Sequence, residues 1–506
     1  MSLPLVYRAA RSIHVQGLSW MRKTKLRSLS TESVSKDTFK FSLRVSPSSN
    51  TEQRGRKHVL SDNGDAAVVL ATPSFARWLT NESFMSALLA SFAQRDLQVL
   101  AAVVDDLSPS SPFGKPTAGF SIMQGSVDEM LPGFSSKPVL SKSRDRPQRG
   151  SITVTLPSAG PKATTLSATL PLANTIFQNG LESTLLASTW TSQGQGAFKL
   201  SSVAERTKHE IVCSAPASAT SLTLSVPLIP VTPPRRILGC LGNILSEIEV
   251  DGKAVPASTE LEAKVQQVYD SRAAADNLST TGMPVDIWAL ISTPEATLTP
   301  SLLEAMKSFE NARFDGPEEE ASVGYRNSKT AAELLMSGFR LYRITSGGGG
   351  WGKRRGRLSL DADWASFGPG AEDPNMILTS ADDKGPAILQ RGVVSPGSYI
   401  QFVTAPHLGE AADLGKSPSF SGSVVLGTSS SLRDGVQSTS DAGEAATCVW
   451  GHFGGLSRKH IFLSERAEVG SSKEDTDRPR PEEQKVMMNS NKTQQDFIDM
   501  YHHPDI

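Results

Sequence analysis

Apolar and polar positions alternate along this chain in blocks that predict strands and helices from about residue 66 onward. A continuous apolar run covers residues 66–71, and a second covers 97–104. Runs of this length predict buried strands. Between them, Phe84, Met85 and Leu88 recur at helical spacing. A strand, a helix and a strand in this order predict a βαβ unit, whose strands pair in parallel through a right-handed crossover.

Further patterns predict a second set of elements. Thr299 and Pro300 suit the N-cap and the first position of a helix, and another helix is predicted after Pro256. The acidic run 318–320 follows Gly316-Pro317 and predicts a solvated loop. Strand-like segments are predicted near residues 39–45, as an edge strand, and at 118–123, 152–156, 166–170, 222–228, 237–250, 285–291, 339–345, 357–360 and 398–403.

The length of 506 residues exceeds what a single hydrophobic core usually supports. We therefore predict an α/β protein of two mixed-sheet units with βαβ elements and disordered N- and C-terminal segments. Strand-like patches at 446–453 and 461–463 are expected to fold back onto the second unit. The predicted parts are a transit peptide (1–29), a linker (30–64), an N-terminal α/β domain (65–230), a C-terminal α/β domain (237–405), a Ser/Gly-rich extension (406–464) and a disordered tail (465–506).

The N-terminal segment is basic and contains no Asp or Glu before Glu32. On a helix, Val6, Ile13 and Trp20 share one face, opposite several arginines. This composition is typical of a mitochondrial transit peptide, and a disordered basic tail is the alternative. The stretch that contains Arg27, Leu29 and Ser30 resembles the cleavage pattern of matrix processing peptidases. We expect a mitochondrial, matrix localisation.

Charge and cysteine usage exclude several classes of protein. The chain has a formal net charge of −1, and removal of residues 1–29 leaves −7, which disfavours general nucleic-acid binding. Cys213, Cys240 and Cys448 are far apart, so neither a disulfide framework nor a CxxC metal site is expected. No run of eighteen apolar residues occurs, and we predict no transmembrane segment. We predict no metal site and no cofactor.

A run of glycines is the strongest local signal in the sequence for a ligand-binding site. The spacing Gly347 to Gly352-Lys353 fits the start of a phosphate-binding loop, but Arg354 stands where Mg²⁺ coordination needs Ser or Thr. A looser nest of glycine N–H groups for an anion is one interpretation. A flexible hairpin with a tryptophan packed over it is the other. The candidate ligand-binding residues are Arg343, Gly347, Gly348, Gly349, Gly350, Trp351 and Lys353.

No catalytic nucleophile can be assembled from the sequence. The chain has no G-x-S-x-G motif, and Cys240 lies in an apolar strand, where a buried inert thiol is the default. The basic cluster at 137–149 lacks the interleaved aromatic residues on which single-stranded nucleic acid stacks. We therefore interpret it as a solvated loop, with RNA contact as the alternative.

Three stretches of sequence occur in an order that points to one family. The first is the βαβ segment at 66–104 with a glycine-containing strand at 117–121. The second, at 242–257, is a strand with an Asn and an acidic-aliphatic run that reaches Asp-Gly. The third pairs 358–361 with 394–403, where a Gly-Ser turn precedes a strand. Together they resemble the FIST domain, named for F-box and intracellular signal-transduction proteins, here without an F-box. The resemblance implies a non-catalytic module that binds small ligands or scaffolds partners.

Three functions remain open from the sequence. The first is a mitochondrial non-catalytic module that senses a small ligand or binds a protein partner. An anion is the candidate ligand. The second is a mitochondrial gene-expression or assembly factor that contacts RNA or the ribosome. The third is an enzyme that acts on an anionic small molecule.

The N-terminal pattern generates a test of localisation. Replacing Arg8, Arg11, Arg22 and Arg27 with Glu should leave full-length precursor outside mitochondria, because the basic face would become acidic. An in-vitro import assay that follows the size of the chain would detect this. Unchanged import and cleavage of the variant would contradict the prediction.

Overall fold

A computed structural model describes the chain over defined ranges, and the structural statements below concern those residues. The ranges are 39–44, 64–90, 95–111, 114–135, 150–157, 164–194, 197–213, 222–276, 285–292, 299–311, 314, 316–347, 356–361, 394–407, 420, 423–430 and 447–467.

The first half of the described chain is mostly strand with short helices. Its elements are β1 (Phe39–Arg44), β2 (Ala66–Ala71), a 3₁₀ helix (Pro73–Thr80), α1 (Glu82–Leu89), β3 (Leu97–Val103), β4 (Asp106–Leu107), β5 (Gly119–Gly125), α2 (Val127–Met130), β6 (Ser151–Pro157), β7 (Thr164–Pro171), α3 (Ile176–Asn179), β8 (Leu185–Ser192), β9 (Phe198–Glu205), β10 (Lys208–Val212) and β11 (Leu222–Ser225).

The second half adds the longer helices, and the mixture of helices and mixed sheets confirms the predicted α/β class. Its elements are β12 (Ile229–Pro230), β13 (Arg235–Leu241), β14 (Ile244–Val250), β15 (Lys253–Pro256), α4 (Ala257–Asp276), β16 (Ile287–Ile291), α5 (Pro300–Lys307), α6 (Pro317–Met336), β17 (Arg340–Gly347), β18 (Leu358–Leu360), β19 (Tyr399–Thr404), β20 (Val424–Thr428), β21 (Thr447–Trp450), β22 (Phe453–Ser457) and β23 (Phe462–Ala467).

The predicted βαβ unit is confirmed. β2 and β3 pair in parallel, with Ala66 opposite Gln98. The 3₁₀ helix and α1 connect them, and the Asn81 side chain caps α1 by accepting a hydrogen bond from the Phe84 backbone N–H at 2.9 Å. Phe84 and Leu88 are buried in the cluster that covers one face of these strands. The sheet that contains them has the strand order β21-β1-β5-β2-β3-β8-β9.

The sequence predicted that the patches at 446–453 and 461–463 fold back onto the second unit, and this prediction is wrong: each of the three strands there pairs with a strand of the first half of the chain. β21 pairs with β1, β22 with β4 and β20, and β23 with β7. Consequently β1, predicted as an edge strand, lies inside the sheet between β5 and β21. Two further four-stranded sheets have the orders β10-β6-β7-β23 and β11-β20-β22-β4.

The strands after residue 229 close into a barrel. β13, β14, β18, β17, β16 and β19 each pair antiparallel with the next, and β19 returns to β13. Alternate side chains of β16 point into two different hydrophobic clusters. Ile287, Ala289 and Ile291 belong to the barrel cluster, whereas Trp288 and Leu290 belong to the larger cluster shared with the other sheets. The barrel is therefore packed against the rest of the molecule through the outward face of β16.

The acidic run 318–320 is a correction to the sequence prediction. It forms the first turn of α6, which begins at Pro317, and acidic residues there interact favourably with the helix dipole. Glu320 is buried with 1% of its surface exposed. Its partner is Arg272 on α4, at 2.6 Å between Nη2 and Oε2. A solvated loop was predicted because this partner lies far away in sequence.

The close parallel strands generate a stability prediction. A Cβ atom at Gly427 would lie 1.7 Å from the Ser225 carbonyl oxygen on the neighbouring strand β11. Gly427→Ala should therefore lower the free energy of unfolding by about 3 kcal/mol or more, since backbone must move.

Gly316→Ala is the matched control, because a Cβ at that position has no atom within 4 Å. Urea unfolding of both variants measures the difference. Equal stabilities would contradict the close approach of β11 and β20.

Candidate functional site

Polar residues follow three strands of the described chain at their carboxyl ends. Because β20 and β22 are parallel, their ends meet at one edge, and β4 runs beside β22. The carboxyl edge of parallel strands is where α/β proteins commonly bind ligands. Two hydrogen-bonded groups lie there, joined by the peptide bond between Ser429 and Ser430. We name their residues together the junction: Asp105, Asp106, Ser429, Ser457, Arg458 and Lys459 in one group, and Asp286, Arg343 and Ser430 in the other.

Asp106 holds one arginine of the junction. The Arg458 Nε atom donates to Asp106 Oδ2 at 3.2 Å. The Ser429 hydroxyl donates to the same oxygen at 2.8 Å. Both charged side chains are partly buried, which strengthens their attraction relative to an exposed pair. This contact joins the segments that follow β3, β20 and β22.

Asp105 supports the same turn from its buried side. Its Oδ2 atom accepts hydrogen bonds from the Arg458 backbone N–H at 2.8 Å and from the Ser457 hydroxyl at 3.4 Å. Burial raises the pKa of this carboxyl, and neighbouring Asp106 adds to the increase. The Arg458 backbone N–H and guanidinium oppose the increase without cancelling it.

Asp286 connects the junction to the barrel. Arg343 Nη2 donates to its Oδ1 at 2.9 Å, and the Ser430 hydroxyl donates to its Oδ2 at 3.0 Å. The Asp286 side chain is 6% exposed and that of Arg343 is 33% exposed. A buried carboxylate therefore orients a guanidinium that solvent can reach. The Trp288 indole N–H donates to the Lys459 carbonyl oxygen at 3.1 Å, a second connection to the barrel.

The structure describes two of the predicted ligand residues, Arg343 and Gly347, and both lie on β17. Arg343 is in the junction. Gly347 ends β17 and pairs with Leu358 of the antiparallel strand β18. A Cβ at Gly347 would lie 2.3 Å from Leu358 Cδ2, so close strand packing accounts for this glycine. Gly348, Gly349, Gly350, Trp351 and Lys353 lie outside the described residues.

Other sequence predictions also lie outside the described residues. These are the transit peptide with Arg27, Leu29 and Ser30, the basic cluster at 137–149 and the tail from 468 onward, whereas residues 465–467, predicted to begin the disordered tail (465–506), instead end β23 and pair with β7. The parts that lie outside the described residues remain predictions.

Sequence reasoning missed a buried serine–histidine contact. His452 Nε2 lies 3.0 Å from the Pro109 carbonyl oxygen, which only accepts, so Nε2 carries a hydrogen. In the neutral ring Nδ1 then accepts from the Ser42 hydroxyl at 2.8 Å. His452 is 0% exposed and Ser42 is 1% exposed, so the contact is buried. The contact fastens β1 to the turn before β22.

The cysteines are poor nucleophiles in the folded chain. Burial raises the pKa of Cys213 to about 11 and that of Cys448 to about 12. Burial also raises the pKa of Cys240. All three are thiols at neutral pH, and the thiol form is weakly reactive.

The described residues lack a metal-binding cluster and a membrane-spanning helix. They contain no group of three or more His, Cys, Asp and Glu side chains placed to hold a metal ion. None of their helices has the length and apolar character needed to cross a membrane.

Comparison with known proteins adds no relative. No protein-family model, curated protein or solved structure matches the chain. The FIST resemblance thus remains an expectation from sequence.

The raised pKa of Asp105 generates a prediction for the pH dependence of stability. The ordinary pKa of this carboxyl is 3.8, and its pKa is higher in the folded chain. At pH values above 3.8 it therefore binds a proton more readily in the folded chain than in the unfolded one. The native state therefore loses stability relative to Asp105→Asn as pH rises through this window. The amide keeps an oxygen for Arg458 and Ser457.

Between acidic and neutral pH, the free energy of unfolding of Asp105→Asn should rise relative to that of the wild type. Urea unfolding at a series of pH values measures this difference. Asp270→Asn, at an exposed carboxyl on α4, is the matched control. A wild-type-to-variant difference that does not change with pH would contradict the prediction.

Proposed function

We propose that the chain is a non-catalytic module that binds a small anionic molecule at the junction and acts in mitochondria. The observation that carries the proposal is that Arg343 of β17 and the consecutive residues Arg458 and Lys459 after β22 belong to two hydrogen-bonded groups, which the adjacent residues Ser429 and Ser430 join at a strand-end edge. Guanidinium groups are well suited to carboxylate and phosphate oxygens. The acid-free N-terminus supports the mitochondrial part of the proposal.

The ion pairs prepare the two arginines for binding. Each guanidinium is held by a carboxylate from another segment, so less side-chain freedom is lost when an anion arrives. The Lys459 ammonium lies close enough to Asp105 to oppose the rise in the pKa of that carboxyl, and it adds a positive charge at the edge. An anion would thus join a site whose geometry already exists.

A non-catalytic role is supported by the state of the nucleophiles. The Ser42 hydroxyl beside His452 is buried, and the cysteines are protonated at neutral pH. The FIST resemblance implies the same kind of module.

Anion binding can be tested with two probes, inorganic pyrophosphate and citrate, on the full chain. At least one should raise the Tm, and Lys459→Gln should weaken its binding at least about tenfold, because a charge-assisted hydrogen bond contributes about 1.5–3 kcal/mol. Calorimetry gives the affinities, and native mass spectrometry shows whether an anion is retained through purification.

Two further variants sharpen the test. Asp286→Asn with Arg343→Gln removes one ion pair without leaving a buried charge, and it should also weaken binding. Lys329→Gln, at an exposed lysine on α6, should change nothing. If neither probe binds, or if Lys329→Gln weakens binding as much as Lys459→Gln, the proposal is wrong.

A further inference from the structure

A second polar centre lies where α4 and α6 meet beside the end of β19. Arg272 donates from Nε to Glu320 Oε1 at 3.1 Å and from Nη2 to Oε2 at 2.6 Å. Arg272 Nη2 also donates to the Ala405 carbonyl oxygen at 2.8 Å. Glu320 Oε2 accepts from the His407 backbone N–H at 2.8 Å. The Arg272 side chain is 9% exposed and that of Glu320 is 1% exposed, so this is a buried ion pair.

The pair leaves two hydrogen-bond donors unused. Arg272 Nη1 is buried and has no hydrogen-bond partner in the structure. A buried unsatisfied donor costs about 1–3 kcal/mol, and more when the group is charged. Every other nitrogen of this guanidinium makes a hydrogen bond. The geometry therefore points to a missing acceptor at Nη1.

An aromatic ring lies against the same guanidinium. The Phe314 ring centroid is 5.6 Å from Arg272 Cζ, within the range of a cation–π contact. Phe314 has φ of 61°, a left-handed conformation that a bulky residue adopts only with strain. Strain of this kind concentrates at ligand sites. It is a second observation at the position where the acceptor is missing.

The charge balance decides which acceptor fits. Arg272 and Glu320 already neutralise each other, so an added anion would leave a net negative charge in a buried place. A neutral oxygen satisfies Nη1 without that cost. We propose that Arg272 Nη1 and Phe314 bind a small neutral molecule through its carbonyl oxygen, with an apolar or aromatic part against the ring.

This site is separate from the proposed anion site. Ala405 follows Thr404, whose hydroxyl donates to the Asp286 carbonyl oxygen at 2.8 Å, so the two sites approach each other along β19. They take ligands of different charge. Failure of anion binding at the junction leaves this inference intact, and the reverse also holds.

Benzamide and benzoate are matched probes, because they share a ring and differ in charge. Benzamide should raise the Tm of the full chain, and benzoate should bind at least about tenfold more weakly because its charge is uncompensated. Calorimetry and thermal melting measure both. Benzoate binding as tight as benzamide binding would overturn the choice of a neutral ligand.

Phe314→Asn tests the site without unfolding it. Asn tolerates the left-handed conformation, and this gain offsets part of the packing that Phe314 makes against the barrel cluster, so the variant should stay folded while benzamide binding is lost. Phe177→Asn is the matched control, because this phenylalanine is 90% exposed on α3. Retained benzamide binding in Phe314→Asn would overturn the proposal.

A double variant removes both charges of the Arg272–Glu320 pair at once. Arg272→Met with Glu320→Gln leaves no buried charge and should fold, as circular dichroism would show, without binding benzamide. A crystal structure of the wild type with benzamide should place the carbonyl oxygen on Nη1. A lone water there, at saturating benzamide, would overturn the proposal.

Discussion

The buried carboxylate of Asp286 is the constraint on which the arrangement of the described elements depends. A carboxylate with 6% exposure is costly to bury unless cations and hydrogen-bond donors surround it. Arg343 of the barrel and Ser430 after β20 supply those groups, and Thr404 donates to the backbone oxygen of the same residue. One residue before β16 therefore holds β17, β19 and the end of β20 together.

The same requirement recurs wherever segments distant in sequence meet. Asp105 and Asp106 take their partners from the turn after β22, and Glu320 takes Arg272 from another helix. Such pairs add little net stability, because desolvation offsets most of the Coulomb attraction. Breaking one partner is costly, however, since it leaves a buried charge alone. These pairs therefore restrict which strand ends and helices can come together. Both candidate sites lie at such pairs.

The sequence predicted elements well and partners poorly. The βαβ unit at 66–104 and the cap of α5 at Thr299 were readable, because apolar runs and capping residues act within a few positions. The acidic run at 318–320 was misread, because a buried glutamate and an exposed one look alike without Arg272 in view. Arg343 was singled out for its neighbouring glycines, but its contact is with Asp286. The junction had no local signal, since its members are pairs of common polar residues after separate strands.

The sequence by itself determined where many of the strands and helices form and that they build an α/β protein. Those outcomes follow from burial of apolar side chains at a period of two or 3.6, which is a local property. Only the tertiary structure decided that residues near 450 pair with β1, that the later strands close into a barrel, and that Ser42 meets His452. Strand order and the partners of buried polar groups depend on contacts across hundreds of residues. The physical reason is that a buried charge or imidazole needs a partner of the right chemistry, and the fold alone brings that partner within reach.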